Sequence, residues 1–183
     1  MKERPIIFSG PMVRAIQEGR KSQTRRVVKL QPIAPLSQLV DTPDLWTFTC
    51  CDREWRCPYG QSGDLLWVRE TWASPKMQKG YVYYRADEND FGLTWKPSIH
   101  MPKWATRLWL RITNVRVERV QEISEEDARA EGVLSWEEGS AHGNCYDGFA
   151  EVWDSLNTRR GYSWESNPWI WVLEFGSMKE EVL

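Results

Sequence analysis

The stretch RLWLRITNVRVERVQ, residues 107–121, decides the fold. Apolar and polar residues alternate along it, as in a β-strand with one buried face. The apolar residues of its first half share one face, and those of its second half do not continue that face. The two sets are Leu108, Leu110 and Ile112, followed by Val115, Val117 and Val120. A slip of one residue near Thr113 and Asn114 is a β-bulge, a feature of strands that turn a barrel corner. The stretch therefore predicts a small barrel.

Other strands and helices surround this stretch. We predict further strands at 6–8, 65–72, 81–85 and 169–175. Pro11, at the first position of a helix, and Gly19, just after its end, delimit a short helix between them. A second helix begins after the N-cap Ser124 and ends at Gly132, and a third has its apolar face at 149–156.

The chain is expected to be one α+β domain spanning residues 1–183. Strands outnumber helices, which favours a small, mostly antiparallel β-barrel with short flanking helices. Two segments rich in Pro and Trp, 31–62 and 87–105, are predicted to be long irregular insertions, the first with at most a hairpin around 45–50. Residues 177–183 are predicted to form a frayed tail.

Composition limits the possible partners and location. The 183 residues carry a net charge of −2, so an anionic partner must be held by a local basic patch. The beginning of the chain has no signal-peptide pattern and the apolar runs are too short to span a bilayer, which predicts a cytoplasmic protein without a membrane partner. Its four cysteines are then expected to be reduced thiols. The oligomeric state is not readable from the sequence.

No metal or cofactor is expected. The cysteines and His142 invite a zinc interpretation, but no CxxC pair occurs, and the spacing from Cys51 to Cys57 is poor for zinc. The other members of that set are Cys50 and Cys145. A glycine-rich phosphate loop and a nucleophile elbow are both missing from the sequence, which disfavours P-loop nucleotidases and α/β-hydrolases.

The basic turn GRKSQTRR, residues 19–26, is the first candidate site. A run of cations is most often a solvated face. Alternatively, neighbouring cations and partial burial would lower the pKa of Lys21. A neutral Lys21 is then able to take the hydroxyl proton of Thr24, provided that the chain is still turning there. The arginines of the turn would hold a phosphate or stack on a base. They are Arg20, Arg25 and Arg26.

Two carboxylates are further candidates. Glu131 is predicted in the last turn of a helix, where the negative end of the dipole favours the protonated form and suits a proton donor; it is alternatively a tolerated surface residue. Glu70 follows the inward face of its strand and needs a cationic partner, Lys21 or an arginine. A structural ion pair and an active-site acid are equally compatible with Glu70.

Four motifs resemble the ASCH domain family, whose fold is a PUA-like barrel. The basic turn resembles the family signature G-x-K-x-x-[TE]-x-R. The stretch GDLLWVRET, residues 63–71, is similar to a strand of its phage and prophage members, and adds Trp67 and Glu70 as candidates for substrate binding. Residues 123–133, which contain Ala130-Glu131-Gly132, and the closing strand 169–175 also fit. Together the motifs anchor the chain from about residue 5 to 176, apart from the two insertions.

The resemblance implies a cleft for RNA or a nucleoside. One small bacterial branch consists of amidohydrolases that remove the acetyl group from N4-acetylcytidine. A Lys, a Thr and a Glu are their proposed base, nucleophile and acid, and these positions match Lys21, Thr24 and Glu131. This chain is much longer than those enzymes.

Three functions remain open at this point. The first is hydrolysis of an N4-acylated cytosine nucleoside or a related amide by Lys21, Thr24 and Glu131. The second is a non-catalytic module of phage origin that binds single-stranded RNA through the basic turn and exposed Trp side chains. The third is a ribonuclease that uses a Lys and a Glu as base and acid.

Overall fold

The computed structural model describes residues 1–29, 31, 39–42, 45–48, 53–75, 80–87, 92–133 and 144–178. These residues form ten strands and three α-helices, a mixed α+β arrangement as predicted. The strands are β1 (Glu3–Ile7), β2 (Gln23–Val27), β3 (Leu39–Thr42), β4 (Leu45–Phe48), β5 (Arg53–Trp55), β6 (Leu65–Arg69), β7 (Trp72–Ala73), β8 (Tyr83–Tyr84), β9 (Trp109–Arg119) and β10 (Trp169–Met178). The helices are α1 (Gly10–Gln17), α2 (Glu125–Ala130) and α3 (Cys145–Asn157).

A five-stranded sheet in the order β1-β6-β9-β10-β2 is the centre of the fold. β1 and β6 run parallel, and the other pairs of neighbours are antiparallel. β10 lies between two partners and is buried on both faces. One face, with Trp169, Trp171 and Leu173, belongs to the core beneath α1, whereas Ile170 and Val172 pack in a second core against α2 and α3. Burial on both sides explains why this strand reads as an unbroken apolar run.

The predicted bulge is confirmed. Glu174 of β10 pairs with Asn114 of β9, but the next residue, Phe175, pairs with Ile112, so that Thr113 is the additional residue. The additional residue keeps Ile112, Val115 and Val117 on the same side of the sheet, where all three pack in the core beneath α1.

The predicted closure into a barrel is not found in the described residues. β1 and β2 are the two edges of the sheet, and no backbone pairing joins them within these residues. Pro5, which has no N–H to donate, lies in edge strand β1, where this lack is tolerated. Near this edge the Arg26 side chain donates from Nη2 to the carbonyl oxygen of Ile7 at 2.7 Å.

The two predicted insertions contain more structure than expected. In the first, β3, β4 and β5 form a three-stranded antiparallel sheet, so the prediction of at most one hairpin was wrong. The second contains two 3₁₀ turns, Ser98–His100 and Lys103–Ala105, and a bridge from Lys96 to Trp72. β10 extends to Met178, so the predicted frayed tail begins too early; residues 179–183 lie outside the described part.

Local sequence signals place the ends of the two helices that matter for the site. α1 has Pro within its first two positions, and Gly19 follows its end with φ +76°. α2 is capped by Ser124, whose hydroxyl oxygen accepts a 3.0 Å hydrogen bond from the Asp127 backbone. Glu131 is the C-cap residue of α2, and Gly132 follows with φ +85°.

Gly132 makes a close approach between α2 and the end of α1. A Cβ atom at this position would lie 3.1 Å from both the Ala15 and the Lys21 Cβ atoms. Gly132 is therefore required both by its backbone conformation and by the space available.

We expect Gly132→Ala to destabilise the protein more than Gly161→Ala. Gly161 has φ +82° with nothing within 4 Å of a new Cβ, so it pays only the conformational cost of about 1–2 kcal/mol. Gly132→Ala has the same conformational cost and in addition displaces Ala15 or Lys21. Urea unfolding of both variants checks this, and equal losses of unfolding free energy would contradict the close approach.

Candidate active site

A buried pair of opposite charges, Lys21 and Glu131, joins the end of α1 to the end of α2. The Lys21 ammonium donates to the Glu131 carboxylate at 2.6 Å (Nζ to Oε2) and to its backbone carbonyl at 2.7 Å. The side chains are 1% and 6% exposed. The two residues also form an isolated antiparallel bridge. Side chain and backbone thus fix the pair in one geometry.

Arg25 holds the other carboxylate oxygen of Glu131. Its Nη1 lies 3.2 Å from Oε1 of Glu131, while its Nη2 pairs with Glu118 at 2.8 Å and Asp127 at 3.0 Å. Gln23 accepts from Arg25 and donates to Asp127. Because these acceptors already use the Nη1 and Nη2 donors of Arg25, its buried guanidinium positions Glu131 rather than offering a free charge to a ligand.

The environment lowers the pKa of Lys21. Burial is the largest cause, since it disfavours the ammonium form; Glu131 opposes the shift, and the charges of Arg26 and Arg25 add to it. The direction is that expected from the sequence. A lysine in these surroundings gives up its proton more readily than one in water.

Glu131 borders a cavity of about 480 Å³, a volume within the usual range for small-molecule sites. Thr24 and Glu131 both line it. No hydrogen bond to the Thr24 hydroxyl occurs within the described residues, and none joins Lys21 to Thr24 there. Of the three predicted catalytic residues, Lys21 thus donates to Glu131, and Glu131 and Thr24 line the same cavity.

The opposite wall of the cavity comes from α3 and the turn that follows it. Sequence reasoning missed this wall, although the helical spacing of its apolar residues was visible. The residues of α3 that line the cavity are Phe149, Val152, Trp153, Leu156 and Asn157. Val152 and Leu156, one helical turn apart, are 41% and 52% exposed, so this wall is open to solvent at these two residues.

Four cations line the cavity without a carboxylate within 4.0 Å among the described residues. They are Arg26, Lys29, Arg69 and Arg160. Arg26 uses Nη2 for the Ile7 carbonyl oxygen, and its buried Nε faces no acceptor in the described part of the chain. The cavity is thus electropositive although the whole chain is slightly acidic.

Three predicted binding residues, Arg20, Trp67 and Glu70, lie outside the cavity lining. Arg20 pairs with Glu18 on the surface. Trp67 stacks beneath the guanidinium of Arg69 at 5.4 Å and is not part of the cavity lining.

Glu70 is buried and its partner is an arginine, the second of the two predicted alternatives, although this arginine lies outside the basic turn. Arg107 binds it with two hydrogen bonds, at 2.9 and 3.0 Å. The pKa of Glu70 is raised because burial outweighs the opposing effect of Arg107. Glu70 directly follows the end of β6, and Arg107 lies two residues before the start of β9. Glu70 is not part of the cavity lining.

The cysteines offer no metal site in the part of the chain that is described, where no cluster of three or more metal-binding side chains occurs. Burial raises the pKa of the Cys57 thiol to about 11, which keeps it protonated at neutral pH. Cys145 is also buried. Cys50, Cys51 and His142 lie outside the described residues. Among the described helices, none is long and apolar enough to cross a membrane.

Comparison with known proteins gives two similar solved structures. No family model and no curated protein matches the chain. An ASCH domain from Lactobacillus crispatus JV V101 is similar at 12% identity and a TM-score of 0.45, over 96% of this chain and 79% of that one. Protein EF3133 from Enterococcus faecalis V583, of the family model DUF984, is similar at 11% identity and a TM-score of 0.45, over 97% and 80%. An ASCH domain is therefore among the structures that this chain resembles.

We expect Glu131→Gln to cost about 3–5 kcal/mol of unfolding free energy, because it leaves two buried cations without their shared carboxylate. The double variant Lys21→Met with Glu131→Gln should recover part of this loss. Urea unfolding of the wild type, both single variants and the double variant gives the coupling energy. Strictly additive losses would mean that the two charges do not stabilise each other.

The free energy of unfolding of the single variant Glu131→Gln should increase as pH rises. Without Glu131, the pKa of Lys21 in the folded protein falls further below its unfolded value of 10.5. Between these two values the unfolded chain binds more protons, so the free energy of unfolding increases with pH. Unfolding of Glu131→Gln measured between about pH 7 and pH 10 checks this slope against the double variant, which lacks Lys21.

Proposed function

We propose that this chain is an ASCH-type amidohydrolase that cleaves the acyl group from an N4-acylated cytosine nucleoside or a related amide. One observation carries the proposal: a threonine hydroxyl without a partner in the described residues lines the same cavity as a carboxylate that is hydrogen-bonded to a buried lysine. We also propose that the chain is a single domain of phage or prophage type, as its motifs suggest, and that it acts in the cytoplasm.

The proton shared between Lys21 and Glu131 suits this reaction. Moving one proton along the 2.6 Å hydrogen bond converts the ammonium and carboxylate into a neutral amine and a carboxylic acid. Burial favours the neutral amine of Lys21 over its ammonium form, which is the main reason that the pKa of Lys21 is lowered. The neutral pair contains both a base and an acid.

In the first half-reaction, the Lys21 amine takes the proton of the Thr24 hydroxyl as the oxygen attacks the acyl carbonyl. The C–N4 bond then breaks, and the Glu131 acid gives its proton to the departing amino group. The products are the free nucleoside and an acyl ester on Thr24. Lys21 now carries the proton of Thr24, and Glu131 is a carboxylate.

In the second half-reaction, water attacks the ester while the Glu131 carboxylate takes one of its protons. The Lys21 ammonium returns a proton to the Thr24 oxygen as the ester bond breaks. The acid is released, and the pair is restored. Arg26 is better suited than Arg25 to stabilise the oxyanion, because Arg25 already donates to Gln23 and three carboxylates.

We expect Thr24→Ala, Lys21→Met and Glu131→Gln each to lower kcat for N4-acetylcytidine by at least about a hundredfold, the usual size of a lost acid–base group. Ser22→Ala is a matched control, because its exposed side chain lies next to Lys21 and outside the cavity lining. Release of cytidine, followed by chromatography, measures turnover. Full turnover by Thr24→Ala would rule out the nucleophile, and absence of turnover by the wild type would rule out the activity.

A further inference from the structure

The cavity is charged more strongly than a neutral nucleoside requires. Glu131 is the one acidic residue in its described lining, and both of its oxygens are taken by Lys21 and Arg25. Arg26 is near enough to Glu131 to act on the reacting group. That leaves Lys29, Arg69 and Arg160, which the amide hydrolysis does not use.

These three cations have no carboxylate partner among the described residues, which distinguishes them from Arg25, Arg107 and Arg116. Unpaired like charges around one cavity repel each other, and this cost is removed when an anion binds. The chain as a whole is acidic, so such a concentration of free cations is not a by-product of composition.

Lys29 and Arg160 come from distant parts of the chain and are held on the same side of the cavity. Lys29 lies just beyond β2, and Arg160 ends the 3₁₀ turn Thr158–Arg160 after α3. The hydroxyl of Tyr162 donates to the Lys29 carbonyl oxygen at 3.3 Å and so joins the two segments. Arg160 also acts electrostatically on Arg26, as do Tyr59 and Glu131, which line the same cavity.

Arg69 reaches the cavity from β6. It is the register partner of Ile7, whose carbonyl oxygen accepts from Arg26. Its buried Nε has no acceptor in the described part of the chain, although another donor of the same guanidinium binds the Ile99 carbonyl oxygen. An unused buried donor in the wall is what an incoming acceptor would satisfy.

We propose that Lys29, Arg69 and Arg160 form a phosphate subsite, so that the substrate is a phosphorylated nucleotide rather than a free nucleoside. The base and its acyl group lie towards Thr24 and Glu131, and the phosphate lies towards Arg160. A cavity of about 480 Å³ has room for one nucleotide unit. The phosphate belongs either to a free mononucleotide or to one nucleotide of an RNA chain; the subsite chemistry is shared. The identity of the base rests on the proposed function, whereas the phosphate preference does not.

Binding is measured by calorimetry in the Thr24→Ala background, where the ligand is not turned over. The probes are N4-acetylcytidine, its 5′-monophosphate, its 3′-monophosphate and a short RNA that contains it. We expect one of the phosphorylated probes to bind at least about tenfold more tightly than the nucleoside, the scale of one charge-assisted hydrogen bond. Added salt should reduce this ratio. Tighter binding of the RNA than of either monophosphate assigns the phosphate to an RNA chain, and the reverse assigns it to a free nucleotide.

Arg160→Ala should bring the ratio close to one, and Arg159→Ala is its matched control. The two arginines are neighbours in one exposed turn, and only Arg160 lines the cavity. Equal affinities for the nucleoside and all three phosphorylated probes, or equal effects of the two substitutions, overturn the subsite. Turnover of the nucleoside without a phosphate preference rejects the subsite alone. A phosphate preference without any turnover rejects the hydrolase alone.

Discussion

The buried pair of Lys21 and Glu131 is the constraint on which the rest of the site depends. Removing two charges from water costs several kcal/mol per ion, so the pair is tolerated only with complete hydrogen bonding. That requirement sets the ends of both short helices. α1 must stop so that Lys21 turns inwards, and α2 must stop with its last carbonyl and carboxylate facing the ammonium. Gly132 then provides the tight exit that leaves room for the lysine stem.

The charges around this pair are divided between two sides. On one side, Arg25 pairs with Glu118 and Asp127 and also with Glu131, whose carboxylate it fixes. On the other side, Arg26 and the cations farther along the cavity wall have no acid to neutralise them within the described residues. The protein is nearly neutral as a whole, yet its cavity is electropositive. The reason is that Glu118 and Asp127 pair with Arg25 and do not line the cavity.

Local patterns predicted what depends on neighbours in sequence. The bulge at Thr113, the Ser124 cap and the position of Glu131 at a helix end were all readable, because each follows from spacing along a single element. Long-range pairing was not readable. Glu70 needed a cation, but nothing in its strand pointed to Arg107, thirty-seven residues away. The α3 wall of the cavity and the open sheet edge depend in the same way on how elements pack, which one strand or helix cannot specify.

The buried pair fits the proposed catalysis better than it fits simple binding of RNA. A module that only grips RNA needs exposed cations at the rim, and a buried lysine contributes nothing to that attraction. As a structural device the pair is also poor, since apolar residues of similar volume often replace a buried ion pair with equal or greater stability. Glu131 and Thr24 nevertheless line one cavity, and burial has shifted the pKa of Lys21, which donates to Glu131, towards the neutral amine. An ionisable group perturbed in this way, bonded to a residue of a cavity wall, is most useful where a proton has to move.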